Sequence, residues 1–218
     1  MKKISSSENN PGTDIRKVDW NEYYKNKSNQ TPRETLITAL EYISKNKNKR
    51  KDLFAVDVGC GHGADTIELL KQGWKVFATD GDENGLRILN ESVDDSHKKN
   101  LITKKISFEN YGNIRIKKCD LLNAGYCLPF CKPQHFNVFW ENISGLIKKG
   151  GVFSGQFFGE NDEWTYNKEM TFHNIKAVKK LFGNFKIICF EEKDEDGKTA
   201  SGESKHWHVF SVIAEKSV

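Results

Sequence analysis

The sequence has no uninterrupted apolar run approaching the ~18 residues of a membrane-spanning helix, so a helical membrane protein is not expected. It also lacks an apolar stretch behind Met1-Lys2-Lys3. Ser5-Ser6-Ser7-Glu8-Asn9-Asn10-Pro11-Gly12 stands where a secretory signal would need one, and a soluble, cytoplasmic chain is expected. Cysteine is sparse and odd in number, at 60, 119, 127, 131 and 189, with no CxxC pair, which argues against a disulfide framework. His206-x-His208, Cys127-x-x-x-Cys131 and Cys60-x-His62 each offer half a metal site with no second half at a known spacing, so no metal is expected. Arginine is scarce as well, five of the 34 basic residues, and the net charge is only +4. The densest basic run, Ser44 to Lys51, has no aromatic interleaved for base stacking and reads as a solvated loop, so no nucleic-acid partner is expected.

What the sequence does contain is a break in hydrophobic pattern. Ala55-Val56-Asp57-Val58 is an apolar run, Gly59-Cys60-Gly61-His62-Gly63 interrupts it, and Ala64-Asp65-Thr66-Ile67-Glu68-Leu69-Leu70 reopens with helical spacing. Glycines permit the tight turn and the close approach of a ligand to bare main chain, and the helix that follows aims its free N–H groups at the turn. The next acid at the end of an apolar run is Asp80, after Lys75-Val76-Phe77-Ala78-Thr79, about where a strand-helix-strand unit sets a carboxylate beside a ribose. A nucleoside site follows. Gly59-Cys60-Gly61-His62-Gly63-Ala64 also fits a dinucleotide fingerprint, so a pyridine-nucleotide oxidoreductase stays open. Asp57, two residues before the first glycine, suits a ligand with an ammonium or sulfonium better than a pyrophosphate.

The motif Asp57-Val58-Gly59-Cys60-Gly61-His62-Gly63 resembles the acid-x-Gly-x-Gly-x-Gly motif of the class I S-adenosylmethionine-dependent methyltransferases, and Asp80 matches their ribose acid. The resemblance covers roughly residues 52–216. It implies an α/β, doubly wound, Rossmann-like sheet of seven strands, five parallel and a C-terminal antiparallel excursion. The pattern along the chain agrees. Strands are expected at 52–58, 74–79, 101–106, from Asp120 and at 152–159. Helices are expected at 64–72, from Asp82 to Ser92, along the Phe136–Ile147 stripe and after Thr171. Two last strands, 186–190 and 206–213, are joined by a polar loop and must pair antiparallel for want of a helix between them. A second register would make 114–118 the third strand and Asp120 the adenine reader, at the expense of a separate fourth strand. Residues 1–16 read as a disordered tail, 17–51 as a helical arm or lid, and 52–218 as the cofactor-binding domain.

The resemblance implies S-adenosylmethionine as cofactor, S-adenosylhomocysteine as product, and in-line methyl transfer to a small-molecule acceptor of the kind used by thiopurine and tellurite-detoxifying enzymes. A cofactor-binding protein without catalysis is a further class. Carried over by position, Gly59 and Gly61 meet the methionine part, Asp57 its ammonium, Asp80 the ribose, and Ser107, Phe108 and Glu109 the adenine, with Cys60, Gly81 and Ala124, on the strand that runs past the methyl, also among the cofactor residues. Gly81 stands where similar enzymes carry a bulky apolar residue, leaving Phe108 to supply the adenine floor. The resemblance also implies that Trp20, Tyr24 or Arg33 closes the site from the N-terminal arm, Arg33 by pairing with the methionine carboxylate, against the alternative that Trp20, Tyr23 and Tyr24 only pack the arm on the domain. At the carboxyl ends of the strands, Tyr126, Phe130, Glu160, Asp162 and Trp164 are expected to rim an aromatic acceptor pocket with acidic edges. His206 and His208 share one face of the last strand at that edge and are candidate general bases, against the alternative that they are ordinary strand-end histidines.

Overall fold

A computed structural model of the chain describes residues 31–46, 52–199 and 202–218. Trp20, Tyr23, Tyr24, the tail and most of the basic run lie outside the described residues. Alternating strands and helices build the first half: α1 (Glu34–Asn46), β1 (Phe54–Val58), α2 (Ala64–Lys71), β2 (Lys75–Asp80), α3 (Glu83–Ser92), a single turn α4 (Asp95–Lys98), β3 (Leu101–Lys105) and β4 (Cys119–Ala124). The second half adds α5 (Pro133–Gly145), β5 (Ile147–Gly159), β6 (Phe172–His173), α6 (Ile175–Leu181), β7 (Phe185–Lys198) and β8 (Ser204–Lys216). Local chemistry sets several boundaries. Asp82 caps α3 by accepting the N–H groups of Asn84 and Gly85, and Asn174 caps α6 through Ala177.

The strands lie in the order β3-β2-β1-β4-β5-β8-β7, with the two-residue β6 beside β5. β1 to β5 run parallel, and β8 inserts antiparallel between β5 and β7. Side chains alternate across these strands, so both faces are apolar and both are covered. On one face Val56, Leu122, Phe153, Phe157 and Phe210 pack against Phe139, Trp140 and Ile143 of α5 and Val178 of α6. On the other, Ala55, Val76, Leu121 and Val152 meet Leu36 and Leu40 of α1, Leu69 of α2 and Leu89 of α3. Strand order reverses between β1 and β4, which opens a crevice at the carboxyl ends of that pair.

The register with Leu101–Lys105 as third strand is the one observed, paired to β2, and residues 114–118 are not a strand. Two expectations need correction. Lys148 to Gly151 does not merely stop a helix but belongs to β5. The acidic stretch 191–198 is not a loop: it continues β7 as a ribbon with β8, from Phe185↔Lys216 to Lys198↔Ser204, past the point where β5 stops.

Candidate active site

The turn after β1 is shaped by what crowds it. Gly59 has φ 62, and a methyl group there would overlap Cβ of Cys127, which follows β4. Gly63 has φ 90, and a methyl there would overlap Leu89 of α3. Only glycine meets both demands. Asp80 ties the turn to β2: its Oδ2 accepts the Gly61 N–H at 2.8 Å and its Oδ1 the Asp82 N–H at 2.8 Å. Burial raises the Asp80 carboxyl above its usual range, and the amides of Asp82 and Gly61 oppose that rise.

Asp57 lies beneath the turn, 1% exposed. Its Oδ2 accepts the Thr66 hydroxyl at 2.5 Å, and its Oδ1 accepts Nδ2 of Asn123 at 2.9 Å. The same Nδ2 also donates to Oδ2 of Asp65 at 2.9 Å, so one amide bridges two carboxylates. Burial, reinforced by the Asp65 charge, raises the Asp57 carboxyl to about 7, against the pull of its bonds to Thr66 and Asn123. Asn123 Oδ1 is buried with no hydrogen-bond partner. Oδ1 of Asp65 accepts the Arg33 N–H at 2.7 Å, bringing the start of α1 to the mouth of the crevice.

Beyond Asp80 a cleft of about 420 Å³ opens between Gly81 and the end of β3. Ile106 and Ile114 give it apolar walls, and Ser107 and Asn110, themselves joined at 2.8 Å, give it a polar edge.

At the ends of β4 and β5 an aromatic cluster gathers around buried Phe158, Met170 and Val209, with Tyr126, Phe130, Trp164, Phe172 and Trp207 half-buried around them. Ring centroids of Phe158 lie 6.2 Å from Tyr126, 6.1 Å from Trp164 and 5.7 Å from Trp207. Tyr126 has φ 56, in the left-handed region that non-glycine residues rarely adopt. Beneath the cluster Lys205, 3% exposed, extends Nζ to Oδ1 of Asp162 at 2.5 Å and sits 3.8 Å from the Trp207 ring centroid and 4.6 Å from that of Trp164.

Residues 55–151, somewhat under half of the chain, match the family model for a methyltransferase domain. Among solved structures, TehB from Haemophilus influenzae has a TM-score of 0.70 at 16% identity, over 91% of this chain and 67% of that one. The magnesium protoporphyrin IX methyltransferase of Synechocystis PCC 6803, solved with bound SAH, has a TM-score of 0.68 at 12% identity, over 93% of this chain and 96% of that one. The 1,6-didemethyltoxoflavin-N1-methyltransferase of Burkholderia thailandensis has a TM-score of 0.64 at 15% identity, over 91% and 85%. These likenesses establish a shared Rossmann-like fold. No curated protein matches the sequence.

The expected cofactor residues do not all face one space. Gly59, Cys60 and Gly61 form the turn, Asp80 is bonded to it through the Gly61 N–H, and Gly81 and Ser107 line the cleft. Phe108 does not: residues 108–113 coil into a 3₁₀ turn that rotates its ring inward, edge-on to Phe139 at 4.9 Å, and Glu109 is left exposed outside the cleft. Ala124 is fully buried at the end of β4.

Of the acceptor residues, Tyr126, Phe130 and Trp164 come together and Glu160 stays exposed. Asp162 is instead internal, 1% exposed, holding Lys205, the Trp164 N–H and the His208 N–H, so it is no free acidic edge. The histidines are also corrected. His208 is buried, its Nδ1 accepts the Asn161 N–H and its Nε2–H therefore donates to Glu192, leaving no lone pair for a base. Both ring nitrogens of His206 bond to Asp196 and Asp194, which raise its pKa and favour the cation. These two residues clasp the β7–β8 ribbon. Sequence reasoning passed over Asp65, Asn123, Gln156 and Lys205, because each acts through a partner distant in the chain; Asp65 alone carried a signal, as an acid in the first turn of α2. Among the described residues no three His, Cys, Asp or Glu are placed to hold a metal, and no helix is long and apolar enough to cross a membrane.

Proposed function

We propose that the protein methylates a small-molecule acceptor with S-adenosylmethionine bound across the β1–β4 crevice. The observation that carries this reading is the crowded turn itself: Gly59 in the left-handed region against Cys127, the Gly61 N–H on the Asp80 carboxylate, and an apolar-walled cleft of about 420 Å³ beyond. Fold relatives solved with bound SAM or SAH support it. In this reading Asp80 accepts the ribose hydroxyls, and Ile106 and Ile114 enclose the adenine with Ser107 and Asn110 at its edge. Asp57 and Asp65, through Asn123, face the ammonium of the methionine part. Ala124 and Tyr126 run past the methyl group. When bound, the cofactor supplies a methyl carbon on cationic sulfur; the S–CH₃ bond breaks as the acceptor–CH₃ bond forms.

The chain's own work is to align and dehydrate the acceptor. The half-buried rings of Tyr126, Phe130 and Trp164 suit a small, flat, partly apolar acceptor, with Glu160 on the outer rim. Since His206 and His208 offer no free nitrogen, the reading assigns neither as base, and the acceptor attacks through a lone pair that needs no proton removed by them. Five free cysteines agree with a reducing, cytoplasmic setting. Thermal-shift titration is the test. S-adenosylhomocysteine should raise Tm and NAD(H) or NADP(H) should not; the opposite pattern overturns the proposal in favour of an oxidoreductase.

A further inference from the structure

One side chain joins the acceptor loop to the first helix. Gln156, on β5 and 2% exposed, accepts the Tyr126 N–H on Oε1 at 3.1 Å and donates from Nε2 to the Thr35 hydroxyl at 2.7 Å. Each partner belongs to a segment that needs holding. Tyr126 sits at φ 56, where a ring-bearing residue stays only if its surroundings fix it. Thr35 stands in the first turn of α1, just after Arg33. The two segments meet again outside Gln156: the Arg33 guanidinium lies 5.0 Å over the Tyr126 ring, while the Arg33 N–H is bound to Asp65. Asp65 shares the Asn123 amide with Asp57, so the chain of contacts runs from the α1 start, over Tyr126, to the carboxylates under the glycine turn.

From this geometry we infer that Gln156 is a positioning residue, a latch that holds Tyr126 and the Arg33 end of α1 together over the methionine end of the cofactor site. The inference rests on the cofactor reading given above. Because the Gln156 amide has one acceptor and one donor end, it satisfies an N–H and a hydroxyl at once. A leucine of similar size satisfies neither. A glutamate satisfies both, since one carboxylate oxygen takes the Tyr126 N–H and the other accepts from a Thr35 hydroxyl turned to donate. With the latch open, α1 and the acceptor loop part and the bound cofactor product leaves faster.

The probe is S-adenosylhomocysteine, followed by calorimetry and stopped-flow dissociation on the full chain. Gln156→Leu and Thr35→Val should each release it about tenfold faster, while Gln156→Glu stays within about twofold of wild type. Hydrogen exchange at the Tyr126 amide should quicken in Gln156→Leu and return in Gln156→Glu, a rescue that general loosening of the fold would not give. Thr35 is half-exposed, so Thr35→Val keeps the test open if Gln156→Leu does not fold. Wild-type dissociation in both Gln156→Leu and Thr35→Val, or in Thr35→Val where Gln156→Leu does not fold, overturns the latch alone. No binding of S-adenosylhomocysteine by the wild-type chain overturns the cofactor reading and the latch with it.

Discussion

At Asp57 a demand of the fold and the proposed cofactor contact fall on one carboxyl. Its carboxyl is raised from 3.8 to about 7 by burial and by the neighbouring Asp65 charge. The folded state therefore holds a proton that the unfolded chain releases, so the stability that protonation lends is full below pH ~4 and is lost as pH rises through about 7. A ligand ammonium reverses the preference, because it pairs with the charged form. Affinity for S-adenosylhomocysteine should rise several-fold from about pH 6 to pH 8, and the rise should vanish in Asp57→Asn; a flat profile in the wild type on calorimetry contradicts this role. Asp80 answers a different demand. Asp80→Ala should weaken S-adenosylhomocysteine binding by roughly 2–4 kcal/mol, the scale for charged hydrogen bonds in a desolvated site. It should also lower Tm without ligand, because the Gly61 and Asp82 N–H groups lose their acceptor. An unchanged ligand-free Tm would show that Asp80 does not tether the turn.

At the scale of elements, the turn after β1 is first of all a packing solution. Gly59→Ala adds a methyl in the left-handed region, against the Cβ of Cys127. Backbone strain and overpacking together should cost about 2–4 kcal/mol by urea unfolding. Cys127→Gly in the same chain should return the packing share and leave the strain; no recovery would mean that the overlap is relieved elsewhere. This turn was legible because glycine spacing and the switch from strand to helix pattern leave a local mark, and the five parallel strands were legible from their apolar runs. The second half of β7 was not. Among the described residues, positions 191–198 pair only with β8, the last five of them beyond the end of β5, and all but Gly197 are exposed, so without a buried face no period-two apolar signal is written. Phe108 misled for a related reason: its ring is apolar either way, and only the 3₁₀ turn decides which side it faces.

In the whole molecule, the β7–β8 ribbon is fastened to the carboxyl-end edge of the sheet by a buried ion pair that no local pattern announces, since Lys205 and Asp162 are 43 residues apart. Asp162 looks in sequence like one more acid in an exposed loop. In the fold it accepts from three donors on two elements: Lys205 Nζ and the N–H of His208, both on β8, and the N–H of Trp164 in the turn 163–166. Burial pulls the Lys205 pKa down and the Asp162 charge pushes it back, while the rings of Trp207, Trp164 and Phe158 lie 3.8, 4.6 and 5.4 Å from the ammonium. Removing one partner leaves the other charged and dry, so Asp162→Asn should destabilise by about 3–5 kcal/mol. Lys205→Met should lose less, about 2–3 kcal/mol, because two backbone N–H groups still serve the Asp162 carboxylate. The pair of substitutions together removes both charges and keeps the volume beneath the aromatic cluster, so urea unfolding of the double variant should show a smaller loss than the sum of the singles by at least about 1 kcal/mol. Strict additivity would mean that the two charges act separately, and that the aromatic rings and backbone bonds alone hold the ribbon over the acceptor edge.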